Sequence, residues 1–233
     1  MYFLSADPHG HFGDLCAGLR AWGPLAEGCI LLGDAGFNYD GGQADRDRKA
    51  QVEALGIPVL CLHGNHERRP ATLPDYRLVP WQGGQVWVEP DFPHLLFARD
   101  GSVYRLDGLS VMAVGGAYSI NKEELLGQRP DDPRWWPDEQ PDAATRAGVE
   151  AALARRNWQV DVMLSHTCPA RYIPWDSLPA AVDQSRVDRT TERWLDTLAD
   201  RLAYGAWFCG HWHLNRTVDR LRFVYHDLVP LHG

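Results

Sequence analysis

Five times along this chain a short apolar run stops at a turn that carries Asp, Asn or His. The runs are Tyr2 to Ala6, Cys29 to Leu32, Ile57 to Leu62, Val160 to Leu164 and Ala206 to Cys209. Each is short and largely apolar, broken only by Ser5 in the first and Asp161 in the fourth, the pattern of a strand covered on both faces inside a parallel sheet. The turns that follow are Asp7-Pro8-His9, Gly33-Asp34, Gly64-Asn65-His66-Glu67, Ser165-His166 and Gly210-His211-Trp212-His213. Between the first three runs lie two helical patterns. One carries Leu15, Leu19 and Trp22, and the other is a mostly polar stretch over 41–55 with Ala50, Val52 and Leu55. This β-α-β-α-β alternation predicts a parallel sheet with helices on its faces. In such sheets ligands collect at the carboxyl ends of the strands, where all five polar turns fall.

The middle of the chain changes character. Tyr76 to Val79, Gln85 to Val88, Leu95 to Ala98, Val103 to Leu106 and Leu109 to Val114 read as short strands. Arg99-Asp100-Gly101-Ser102 and Asp107-Gly108 have the composition of hairpin turns, so a second, more antiparallel sheet is expected here. Residues 115–138 form a long irregular segment rich in Pro, Trp and charge, whose aromatics (Tyr118, Trp135 and Trp136) argue against disorder and whose place after a strand suggests a lid. A helix follows over 141–156. Another carries Trp194, Leu195, Leu198 and Leu202 on one stripe, with Asp188 as its expected cap. The chain closes on a hairpin that turns at Asp219-Arg220. No repeat or linker divides it, and residues 1–233 are expected to form one domain.

Composition removes several classes of function. The net charge is −8 and no long basic run occurs, which argues against stable nucleic-acid binding, since that rests on Lys and Arg neutralising phosphates. No apolar run approaches the ~18 residues of a membrane span. The first strand starts at Tyr2, which leaves no room for a leader peptide. The five cysteines are odd in number and sit mostly in apolar runs, as reduced core residues of a cytoplasmic protein do.

Of ten histidines, five stand in the strand-end turns. One histidine after a strand is usually a satisfied core or surface residue, but five are not explained that way. With Asp7, Asp34 and Asn65 they offer imidazole, carboxylate and amide donors, a set that suits divalent metals of intermediate hardness. Asp7 and His9, and likewise His211 and His213, are two residues apart and point to one side if the segment is extended. These two pairs with Asp34, Asn65 and His166 make seven candidate ligands, which exceed one tetrahedral zinc and match two ions that share a carboxylate. The cysteines lack zinc-finger spacing.

These segments, in this order from Asp7 to His213, resemble the calcineurin-like metallophosphoesterases. The resemblance implies an α/β (α+β) fold, a four-layer α/β/β/α sandwich of two mixed sheets flanked by helices. It implies one ion held by Asp7, His9, Asp34 and His213 and another by Asp34, Asn65, His166 and His211, with Asp34 bridging. Mn is the expected ion, with Fe, Zn, Ni, Co and Mg as alternatives. His66 would be the catalytic histidine, a proton donor beside the leaving-group oxygen. The implied reaction is hydrolysis of phosphoric esters by an activated water.

The protein Ser/Thr phosphatases of this family have Gly-Asp-x-x-Asp-Arg-Gly, whereas this chain places Phe37 and Asn38 where the later Asp and the Arg stand. It has His63 where that branch has an Arg before Gly-Asn-His-Glu. A monoester dianion needs extra cationic donors more than a diester monoanion does. Small phosphodiesters, cyclic nucleotides included, are therefore the expected substrates, with a protein or small-molecule monoesterase as the alternative. Arg68 and Arg69 are candidates to restore the missing charge. Asn38 and Tyr118 complete the candidate substrate contacts.

Overall fold

The computed structural model describes residues 1–39, 41–128, 135–180 and 182–232. The chain runs β1 (Tyr2–Ser5), α1 (Gly13–Trp22), β2 (Gly28–Leu31), α2 (Gln43–Glu53) and β3 (Val59–Cys61). It continues through β4 (Arg77–Trp81), β5 (Gly84–Val88), β6 (Leu95–Ala98), β7 (Val103–Leu106) and β8 (Leu109–Val114). The second half holds α3 (Lys122–Gln128), α4 (Ala143–Ala154), β9 (Val162–Ser165), α5 (Thr190–Ala199) and β10 (Ala206–Cys209). The last elements are β11 (Arg216–Val218), β12 (Leu221–Phe223) and β13 (Val229–Pro230). Among the described residues these strands form two mixed sheets, ordered β13-β1-β2-β3-β6-β5-β4 and β11-β12-β10-β9-β8-β7. Their centres, β1-β2-β3-β6 and β8-β9-β10-β12, are parallel.

Strand alternation sorts the apolar residues into layers. Leu4, Ile30, Leu60 and Leu96 of the first sheet meet Val111, Ala113, Leu164 and Phe208 of the second in a shared core. Their sequence neighbours Phe3, Cys29, Leu31 and Val59 face outward, against Leu15 and Leu19 of α1 and Val52 of α2. On the far side Met112, Met163 and Trp207 pack on Val149 and Leu153 of α4 and Trp194, Leu195 and Leu198 of α5. The four layers are therefore helix, sheet, sheet, helix. Each fully buried Leu, Ile or Phe contributes roughly 1.5–3 kcal/mol. Because the central strands are covered on both faces, their sequences read as continuous apolar runs.

The middle strands do not make a sheet of their own. β4, β5 and β6 extend the first sheet, whereas β7 and β8 open the second. Arg99-Asp100-Gly101-Ser102 is thus not a hairpin turn. It closes with Ser102 N–H donating to Arg99 O (3.0 Å) and carries the chain from one sheet to the other. Asp107-Gly108 is a hairpin turn, with φ of 50° and 80° in the left-handed region that a type I′ turn requires. Asp219-Arg220 likewise joins β11 to β12. The segment 115–138 is not wholly irregular, since it contains α3; its residues 129–134 lie outside the described set. The capping residue of α5 is Arg189. Asp188, one position earlier, takes Thr190 N–H at 2.9 Å. All five cysteines are buried and free. Among the described residues no helix is long and apolar enough to cross a membrane.

Candidate metal centre

The loops after β1, β2, β3, β9 and β10 meet at one end of the sandwich because the backbone pairing continues past the strands. Asp7 N–H donates to Gly33 O (3.2 Å) and His9 N–H to Asp34 O (3.0 Å). Within the second sheet, Gly210 N–H donates to His166 O (2.9 Å). Two glycines let the loops approach this closely. A Cβ at Gly33, where φ is +102°, would sit 2.2 Å from His166 Nδ1, and one at Gly64 would sit 2.0 Å from Asp34 Oδ1.

The turns themselves are left-handed. Asp7, His9, Asp34, His211 and His213 have φ between 45° and 68°. Asp7 and His9 thus converge through two left-handed residues, not through the alternation of an extended segment, and the same holds for His211 and His213. Non-glycine residues in this region are uncommon, and held strain of this kind gathers at functional sites.

All seven candidate ligands come together. Ligand atoms of Asp7, His9 and His213 lie within 4.8 Å of one another, and so do those of Asp7, Asp34 and His166. His9 Nε2 is 3.2 Å from His213 Nε2 and 4.0 Å from Asp34 Oδ2. His166 Nε2 is 2.9 Å from Asn65 Oδ1 and 3.7 Å from Asp34 Oδ2. The His211 ring lies 5.0 Å from that of His166. Asp34 therefore reaches toward both halves of the cluster, and Asp7 belongs to both convergent groups.

The electrostatics of this cluster ask for a cation. Burial, and then the neighbouring charge of Asp34, push the Asp7 carboxyl well above the usual range. Burial acts the same way on Asp34, but the His166, His66 and His9 imidazoles beside it leave its pKa below the ordinary value. Desolvation lowers His9 to about 4 and also lowers His166, His211 and His213. Burial thus favours the neutral form of these imidazoles, the form that binds metals, beside two buried carboxyl groups and an amide oxygen. That donor set fits first-row divalent ions.

Outer contacts fix how each donor points. His166 Nδ1–H donates to Leu32 O (2.7 Å), which leaves Nε2 as the free lone pair. The Asp7 carboxylate accepts His211 N–H at 2.9 Å, and Asp34 Oδ1 accepts His66 N–H at 2.9 Å. Asn65 Nδ2 donates to Ser119 Oγ (2.9 Å), so its Oδ1 is turned inward. Ser119 N–H in turn donates to Glu139 Oε2 (3.1 Å). The His213 ring stacks on Tyr225 (4.7 Å between centroids, 18° between planes). Asn215 holds the Tyr225 backbone from both sides, accepting its N–H (2.8 Å) and donating to its carbonyl (3.0 Å). Glu67 Oε1 accepts Gly64 N–H (2.7 Å), and burial raises that carboxyl to about 8. Ser119, Glu139, Asn215 and Tyr225 carry no motif signature. Only Ser119 stands in a segment that its sequence sets apart.

The candidate substrate contacts divide. His66 and Tyr118 line the cleft above the cluster, a space of about 440 Å³, and the His66 ring is 5.9 Å from that of His9. Asn38 is buried behind the site with Oδ1 on the Tyr76 hydroxyl (2.8 Å) and does not line the cleft. Arg68 Nε reaches the Asn38 carbonyl at 3.4 Å. Arg69 points elsewhere: it pairs with Asp100 (2.6 Å) and donates to Asp138 O (2.7 Å). Trp212 packs against the outer face of the second sheet, with its edge at the cleft.

The comparisons with known proteins agree with this geometry. No curated protein sequence matches the chain. Among solved structures it is similar to TT1561 of Thermus thermophilus, at 11% identity and a TM-score of 0.55, covering 96% of this chain and 87% of that one. It also aligns with the phosphopantetheinyl hydrolase PptH from Mycobacterium tuberculosis, at 17% identity over 96% and 87% of the two chains. The TM-score of 0.48 is too low to bear on function. The first of these likenesses speaks for the fold. The sequence profile described as calcineurin-like phosphoesterase matches residues 3–215, nearly the whole length, and with that match the chain belongs to the calcineurin-like phosphoesterases.

Proposed function

We propose that the chain, acting as one domain, is a two-metal phosphodiesterase for small substrates, cyclic nucleotides included, with phosphomonoesters as side substrates. Family membership carries metal-dependent phosphoester hydrolysis. The observation that supports the two-metal reading is the convergence of five donors into two groups that share Asp7, with Asp34 within reach of both and Asn65 and His211 beside His166. One ion would be held by Asp7, His9, Asp34 and His213, the other by Asp34, Asn65, His166 and His211, with Mn as the activating pair. Bound divalent ions lower the pKa of a water toward ~7 and clamp the phosphoryl oxygens. The chain's own residues do the rest. His66, in the cleft beside His9, holds the proton that the departing oxygen needs. Tyr118 walls the cleft on the substrate side. Five buried free thiols support a reducing, cytoplasmic compartment.

The orientation of the arginines supports the diester preference. Arg69 is committed to Asp100, and neither Arg68 nor Arg69 lines the cleft. A monoester's second charge therefore has no clamp from either of them, and Arg189, the one arginine among the described residues lining the cleft, is nearly buried against Trp175 and Gln184. Matched kinetics on an aryl phosphodiester and the corresponding monoester, with Mn supplied to both, tests this. A higher kcat/KM for the diester is expected, and a clear preference for the monoester would overturn it.

A further inference from the structure

The cleft above the candidate ligands does not end at them. Beyond His66 its wall carries Tyr118, Ile120, Leu178, Pro179 and Val187, with Asn121, Ser177 and Gln184 among them, and Ile120 is 44% exposed. Past Tyr118, Ile120 and Val187 it runs into a second groove of about 410 Å³, edged by Glu123, Glu124 and Asp183. Together they make a channel with an apolar strip along its wall and an acidic far end.

Among the described residues, the cations near this channel are already engaged. Arg189 is the one cation among the described residues lining the cleft. It is nearly buried, donates to Gln184 Oε1, stacks 4.9 Å over Trp175 and shares the lining with Glu192. Arg186 in the outer groove is paired with Glu123. Lys122 sits 4.0 Å over the Trp135 ring. Among the described residues, a second anionic group on a substrate would meet carboxylates here and no uncommitted counter-charge.

Resting on the phosphoesterase reading, we propose that the reacting phosphate is the substrate's only anionic group. Its organic arm is neutral and elongated, and it lies along Ile120, Leu178 and Val187 toward the acidic edge. Apolar contact along the walls selects for the arm, and the rim selects against di- and triphosphates, oligonucleotides and acidic peptides. A 2′,3′-cyclic nucleotide meets the charge rule, since its single charge is on the reacting phosphate.

The test is a series of p-nitrophenyl phosphodiesters whose second alcohol is methyl, hexyl or 5-carboxypentyl, assayed with the Mn-loaded protein. The hexyl ester should exceed the methyl ester in kcat/KM by roughly tenfold or more, within the range that added methylenes give in an apolar pocket. The carboxypentyl ester should fall about tenfold below the hexyl ester, and salt should narrow that gap because exposed charges are screened. Ile120→Lys should shrink or reverse the hexyl-to-carboxypentyl ratio. Glu123→Gln, which releases Arg186, should shrink it too. Turnover of the methyl ester with no penalty for the carboxylate, or a ratio unmoved in both variants, would overturn this proposal alone. No turnover of any ester would overturn the phosphoesterase reading beneath it.

Discussion

His66 owes its place to its neighbour in the chain. Asn65 is turned inward by Ser119 and His166, and the next residue is anchored through its N–H on Asp34 Oδ1, so the backbone delivers the imidazole to the cleft. A histidine that donates a proton and holds no ion has a distinctive signature on removal. His66→Ala should keep the full metal content and slow turnover by ~10²–10⁴-fold on alkyl esters. The loss should shrink on nitrophenyl esters, whose leaving group needs no proton. A variant that emptied the site of metal would show that His66 is a ligand instead. At this scale the sequence was highly legible: donor type and position after a strand were enough to single out all seven convergent residues. It was least legible for the arginines. Whether Arg69 turns into the cleft or onto Asp100 depends on where β6 and β7 change sheets, and nothing local to Arg69-Pro70 encodes that.

The elements carry the outer support of the site, and there the sequence said less. The strands were readable as apolar runs because they are covered twice, but the partition of β4 to β8 between two sheets was not. Hairpin chemistry marks a turn without saying which sheet receives the next strand, and Arg99-Asp100-Gly101-Ser102 is the case in point. Residues 115–121 do more than cover the cleft, because Ser119 fixes the Asn65 amide and is itself held by Glu139. The turn after β12 does the same for the other half of the cluster through the stack of Tyr225 on His213. Removing such partners typically weakens metal binding ~10–100-fold. Calorimetric titration of the metal-free protein should show that loss at one of two sites in Ser119→Ala and in Tyr225→Ala. Tyr225→Phe, which keeps the ring, should restore it. Unchanged affinities in both alanine variants would mean that the ligands hold their orientation without these residues.

For the whole molecule, the sandwich brings loops from two sheets into one cluster. The second sheet contributes His166, His211 and His213, and the first contributes Asp7, His9, Asp34 and Asn65. Neither sheet alone completes a site, so metal binding should tie the two halves together and raise thermal stability. The acidic balance of the chain, −8 overall, agrees with a small substrate and not a polyanion. The central claim is that this cluster holds two divalent ions with Asp34 between them. Its most direct measurement is the metal content of the Mn-reconstituted, dialysed protein, beside that of Asp34→Asn. Two ions per chain are predicted in the natural protein and loss of both in the variant, whereas one ion or none in active natural protein would contradict the claim.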